Sequence, residues 1–172
     1  MKAWLRILGL AGCCAGQPLQ AAPEMDEHQL KAAFVYRFAQ YTAWPPPPLQ
    51  NFAVCTAGQP PGLGEALQRL AGRRWSGVST QVLSLERPEQ ARQCQLLVLG
   101  FAERAELRRW LAALDDGPVL VIADTPEGYR AGADIGLIQE PNGLAFRVNL
   151  SESKRRGLIL SSQMLKLARE VR

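Results

Sequence analysis

The side chains able to do chemistry in this chain are few and scattered. Its one histidine, His28, stands beside Glu27. A Ser-His-Asp arrangement or a metal centre needs convergent partners for it. With no second histidine and no clustered cysteines, His28 reads as a polar residue in a first helical turn. Gly58-Gln59-Pro60-Pro61-Gly62-Leu63-Gly64 is glycine-rich and opens a helix, but it lacks the Lys and Ser/Thr of a P-loop. It is taken as a strand-to-helix turn, with a helix N-terminus open to an anion as the lesser alternative. Asp124 ends an apolar run, where α/β folds place functional carboxylates. Thr125-Pro126 follows it, so a cap or turn is the plainer reading. Asp115 and Asp116 adjoin each other in a turn and cannot converge across a substrate as an acid/base pair. No Cys-x-x-Cys supports a disulfide oxidoreductase. The pattern argues against an enzyme, and no catalytic, cofactor-binding or metal-binding residue is assigned.

The elements that would position such groups are more legible. Residues 31–45 read as a helix with two apolar stripes. Leu30, Phe34, Phe38 and Tyr41 make one; Ala32, Val35, Tyr36 and Ala39 make the other. A surface helix needs one stripe. The first is expected in the core. The second, with Trp44, is the candidate partner or dimer interface, unless the helix is sandwiched inside the fold. Pro45 to Pro48 form a stiff polyproline elbow.

Beyond the elbow, elements alternate. A strand near 51–56 precedes a helix near 62–71 whose Leu63, Ala66, Leu67 and Leu70 share a face, and a loop carrying Trp75 leads to a strand near 79–85. Residues 94–99, Gln95 aside, and 119–123 are continuously apolar, as strands covered on both faces are. Between them, residues 103–114 form a helix with Leu107, Trp110, Leu111 and Leu114 at helical spacing, stopped by Asp115-Asp116-Gly117-Pro118. Residues 136–138 and 144–148 flank the Asn142-Gly143 hairpin signal. A long C-terminal helix is expected from Ser151 to about Val171. The fold class is therefore α/β: a single domain with a mixed, mostly parallel sheet flanked by helices, a C-terminal hairpin and a long final helix.

Residues 1–22 carry Lys2 and Arg6, an apolar run and small residues at Ala21-Ala22, the order of a secretory signal. Leu10-Ala11-Gly12-Cys13 also spells a lipoprotein box, so a lipid on Cys13 is the rival to plain export. Residues 23–172 suffice for one domain and one core. The formal charge of +4 falls to +2 without Lys2 and Arg6. No basic stretch interleaves with aromatics, which excludes a nucleic-acid platform. Lys154-Arg155-Arg156 reads as a solvated helix face.

Cys55 and Cys94 remain after export, an even count for an oxidising space. A bridge would close a loop of about 40 residues and contribute roughly 4 kcal/mol. Cys55 reads as the end of one strand and Cys94 as the start of another, so parallel neighbours in simple register would hold them too far apart. Either the strands are staggered, or the boundaries lie a few residues away, or the two are buried free thiols.

The order of segments resembles the YfiR-like family of bacterial periplasmic proteins. The likeness rests on Lys31-Ala32-Ala33-Phe34-Val35-Tyr36-Arg37-Phe38-Ala39 with Trp44-Pro45, on Val54-Cys55 with Gly58, and on Cys94 through Gly100. It continues through Pro118-Val119-Leu120, Phe146 through Leu150, and Gly157-Leu158 to Ala168. The resemblance implies a non-enzymatic regulator without cofactor that binds the periplasmic sensor region of an inner-membrane diguanylate cyclase and represses it, lowering cyclic-di-GMP and restraining biofilm behaviour. It implies a disulfide between Cys55 and Cys94 and leaves a homodimer open. Residues 129–136 hold no cysteine, so the namesake's second disulfide cannot form here. The alternative is a periplasmic small-ligand-binding domain with a pocket near Gly58, Gly100 and Asp124.

Overall fold

Strands that are apolar at every position become the centre of a sheet covered on both faces. In the computed structural model, which describes residues 26–172 except 60, 72, 73, 76 and 142, the chain begins with helix α1 (Glu27–Gln40) and a short strand β1 (Thr42–Ala43). The expected signal segment 1–22, Cys13 and Asn142 lie outside the described residues. There follow β2 (Phe52–Ala57), α2 (Pro61–Gln68), β3 (Arg74–Trp75), β4 (Val78–Ser84) and a 3-10 turn at Pro88–Gln93. The chain continues through β5 (Leu96–Leu99), α3 (Arg104–Leu114), β6 (Leu120–Ala123), α4 (Pro126–Ala131), β7 (Ile135–Glu140) and β8 (Gly143–Val148). Last come α5 (Leu150–Arg155), β9 (Ile159–Leu160), α6 (Ser162–Leu165) and β10 (Glu170–Val171).

The main sheet runs β10-β8-β7-β6-β5-β2-β4-β3. Its parallel part, β4-β2-β5-β6-β7, has the chain order 2-1-3-4-5 of flavodoxin-like folds. β8 returns antiparallel to β7, with Leu137 opposite Phe146, and β10 lies parallel to β8. Alternation divides the core. Val54, Leu96, Val98, Leu120 and Ile122 face α1, α2 and the C-terminal segment. Ala53, Cys55, Leu97, Leu99, Val121 and Ala123 face the 3-10 turn and α3, where Leu107, Trp110 and Leu114 are buried. The mixed, mostly parallel α/β sheet is therefore as expected.

The long C-terminal helix is not. Residues 150–171 break into α5, β9, α6 and β10. Gly157 is the cause: at φ +71° it takes the left-handed conformation that glycine adopts freely. Its N–H bonds the Lys154 carbonyl and the Leu158 N–H bonds the Ser153 carbonyl, the paired bonds of a Schellman stop. Ser161 then caps α6 by accepting from the Gln163 N–H. Leu158 and Leu165 are seven residues apart, a spacing that suits one helix as well as the two turns observed.

The stop also turns Arg156 inward. The sequence placed it on a solvated face with Lys154 and Arg155, but its side chain is 1% exposed and pairs at 2.8 Å with Asp134, which is fully buried. Asp134 also accepts the Val121 N–H at 2.7 Å, fixing the chain just before β7 against β6. Burial pushes the Asp134 carboxyl up to about 6, against the opposing pull of Arg156.

The cysteine geometry resolves through the boundaries. β5 starts at Leu96, paired with Val54, while Cys94 caps the 3-10 turn on the face toward which Cys55 points. Their Cα atoms are 6.0 Å apart and the disulfide is formed. It closes a separation of 39 residues and is buried.

Two predictions follow from these links. Arg156→Met leaves a buried carboxylate uncompensated and should lower stability by about 3–5 kcal/mol at pH 8. A raised acid is protonated in the native state below its native pKa, so the group's own contribution falls as pH rises from about 4 to about 6. The Arg156→Met deficit should therefore shrink at pH 5, which urea titrations at both pH values measure. Replacing Cys55 and Cys94 together by alanine should remove roughly 4 kcal/mol and lower the melting midpoint by roughly 10 °C, read by calorimetry.

Candidate functional site

Helix α1 buries residues of both of its stripes. Ala32, Val35 and Ala39 are buried inside the domain, with Phe38. Val35, Tyr36 and Ala39 face Phe52 and Val54 of β2, Leu67 and Leu70 from the α2 segment, and Val82 of β4. The small side chains at 32 and 39 fit where α1 packs on α2. The second stripe is thus filled by the chain's own α2 and sheet, which takes Ala32, Val35 and Ala39 out of any surface offered to a partner. Tyr36 is half-buried at the rim of the same contact. Trp44 lies apart from it: the half-buried indole donates to the Gln95 carbonyl at 3.2 Å and meets Phe52 edge-on at 5.1 Å. The five candidate interface residues do not form one open face.

The first stripe buries Phe38 and leaves Phe34 and Tyr41 partly open to solvent. Phe34 and Tyr41 are half-buried and, with Arg37, Phe38, Phe146, Met164 and Leu167, line an apolar groove of about 230 Å³. Its floor is an aromatic triplet in edge-to-face contact, Phe34–Phe38 at 5.9 Å, Phe34–Phe146 at 6.3 Å and Phe38–Phe146 at 4.9 Å. Leu167, at its lip, is 73% exposed. Burying a leucine removes surface that water disfavours by about 2 kcal/mol, and Leu167 leaves that surface open beside the groove. Sequence reading missed Met164 and Leu167 as contributors because it placed them on one continuous helix. Gly157 and the Ser161-Ser162 pair were the signals that this helix ends.

The expected ligand pocket at the strand ends is partly closed. Gly58 has φ +65°, and a Cβ at position 100 would collide with the Gly58 carbonyl oxygen, so the two turns touch through backbone. Gln59 and Phe101 fill the space above them. His28, on α1, packs against Gly62 at the start of α2. Asp124 does not cap the following helix; Thr125 does, accepting from the Gly128 N–H at 3.2 Å. Asp124 instead holds Lys31 at 2.8 Å, and Glu27 takes the same ammonium at 2.8 Å. Burial opposes the charge on Lys31, but these two carboxylates outweigh it and keep its pKa above the ordinary lysine value. A lysine so held is neither base nor nucleophile; it ties α1 to the end of β6. Beside it, β7 runs past the end of β6 and leaves a cavity of about 380 Å³ bordered by Asp124, Tyr129, Gln139 and Arg147. Among the described residues, no group of three His, Cys, Asp or Glu side chains is placed to hold a metal ion, and no helix is long and apolar enough to cross a membrane.

Fold and disulfide together define a small, oxidised α/β domain with a flavodoxin-like strand order and an open apolar groove. Residues 28–169 match the family described as YfiR/HmsC-like, and the chain belongs to that family. No curated protein matches it. A conserved domain protein from Vibrio cholerae O1 biovar El Tor shares the fold at a TM-score of 0.57 and 11% identity, over 82% of this chain and 60% of that one. An ABC domain in complex with L-Trp from Streptococcus pneumonia does so at 0.55 and 5%, over 85% and 60%. This chain thus spans about 60% of the length of either structure, and the likeness is one of fold.

The burial pattern makes a direct prediction. Val35→Glu should destabilise the domain by at least about 3 kcal/mol, because an unpaired charge would be buried. Leu167→Ser should change stability by no more than about 0.5 kcal/mol. Chemical denaturation of the two variants tests the assignment of the stripes.

Proposed function

We propose that this protein is a non-enzymatic periplasmic regulator that binds the periplasmic sensor region of an inner-membrane diguanylate cyclase and represses it. Membership of the YfiR/HmsC-like family over residues 28–169 carries the reading. The disulfide supports it, since a buried Cys55–Cys94 bond fits an oxidising compartment. The groove supports it in a second way. A repressor without catalytic groups acts by contact, and the groove under Leu167 supplies apolar surface with Arg37 at its edge. Aromatic walls and an arginine are the residues that carry most binding energy at interfaces. The occupant in this reading is an apolar side chain of the cyclase sensor region. Tyr36 and Trp44 lie outside the groove and serve as secondary contacts at most.

Co-purification of the oxidised protein with the periplasmic region of a membrane-bound diguanylate cyclase from the same genome tests the proposal. Wild type should be retained and Leu167→Glu lost, with the variant's melting midpoint unchanged. Absence of binding by wild type under both oxidising and reducing conditions would overturn the repressor reading.

A further inference from the structure

On the face of the domain away from α1, the side chains around one cavity carry a surplus of positive charge. Arg104, Arg108, Glu127, Arg130 and Ala131 border a cavity of about 380 Å³ between α3 and α4. Arg104 and Arg108 stand four residues apart on α3, so both guanidiniums leave the same helix face and repel each other. Arg130 reaches the same cavity from α4. The two helices are drawn together at Gly128, where a Cβ would collide with that of Ala123 and touch Leu107 of α3 at 3.4 Å. This packing fixes the backbone positions from which the three exposed arginines extend.

The nearby carboxylates do not neutralise it. Glu106 is engaged by Arg109 at 2.8 Å and Glu127 by Arg130 at 3.0 Å. Among the described residues neither Arg104 nor Arg108 has an ion-pair partner. Three guanidiniums against one carboxylate leave two unbalanced positive charges at the cavity.

We propose that Arg104, Arg108 and Arg130 form a phosphate-binding site. The ligand is a phosphoryl group and not a carboxylate, because one guanidinium fork already satisfies both oxygens of a carboxylate. A phosphate has three or four oxygens and a charge of about −2 to offer, which matches the two unpaired forks of Arg104 and Arg108, with Arg130 shared between it and Glu127. The cavity is of a size for one such group on a small molecule or a lipid headgroup. The site lies on the opposite face of the sheet from the apolar groove, so ligand and protein partner do not compete for the same residues.

Two probes separate the sources. Inorganic phosphate is titrated calorimetrically into the oxidised protein in chloride buffer, and the protein is sedimented with vesicles of phosphatidylglycerol or of phosphatidylcholine. One saturable phosphate site is expected, weakened at least roughly tenfold in the double variant Arg104→Gln/Arg108→Gln and also in Arg130→Gln, but unaffected in Lys154→Gln. Binding to phosphatidylglycerol vesicles alone, with the same dependence on the three arginines, supports the site with a lipid as its source. The proposal is overturned if wild type binds neither probe, or if Lys154→Gln weakens binding as much as the arginine variants do, which would mean diffuse surface charge.

Discussion

The organisation of the C-terminal third depends on one buried ion pair. Asp134 sits between α4 and the start of β7, and Arg156 reaches it from the stop after α5. Neither charge has water to lean on, so each requires the other, and the pair fixes where α5 can lie. Around it the backbone closes in the same place: the Asn149 N–H bonds the Asp134 carbonyl, and the Leu150 N–H bonds the carbonyl of Arg172. The segment from Gly157 onward is thereby led across the sheet, so that Met164 and Leu167 arrive beside Phe34 and Phe146. A polar contact in the core thus decides the shape of an apolar surface some distance away.

Much of the sheet was legible because its strands are extreme. Leu96 to Leu99 and Leu120 to Ala123 are apolar at every position, and such runs admit few readings other than doubly covered strands. The hairpin near Gly143 and the helix 104–114 were equally plain, since turn residues and helical spacing agree there. The C-terminal segment was not legible. Leu158 and Leu165 satisfy helical spacing, and a helix read from apolar period alone runs through Gly157 unless the glycine is weighted as a stop. Arg156 was hidden for a related reason. Its neighbours Lys154 and Arg155 are exposed, and nothing local distinguishes the one arginine whose partner lies 22 residues away.

The candidate surface shows the limit of periodicity more sharply. Two apolar stripes on α1 pointed to one face in the core and one for a partner, but the stripe with the smaller side chains is the one buried against α2 and the sheet. Small residues permit close helix approach, while Phe34 and Tyr41 are too large for that seam and sit at its open side. Choosing between stripes required knowing which face α2 covers, a long-range fact absent from the helix itself. The cysteine pair was the converse case: register alone argued against the bond, and a shift of two residues at the start of β5 removed the objection.

The depth of that bond has a practical side. With both sulfurs enclosed beneath the 3-10 turn, oxidants and reductants reach them only while the domain is open. Whether a given molecule carries the link is therefore decided as it folds and is then retained. Material folded in a reducing cytoplasm and material recovered from an oxidising compartment would therefore share a sequence yet differ in this link and in the stability it brings.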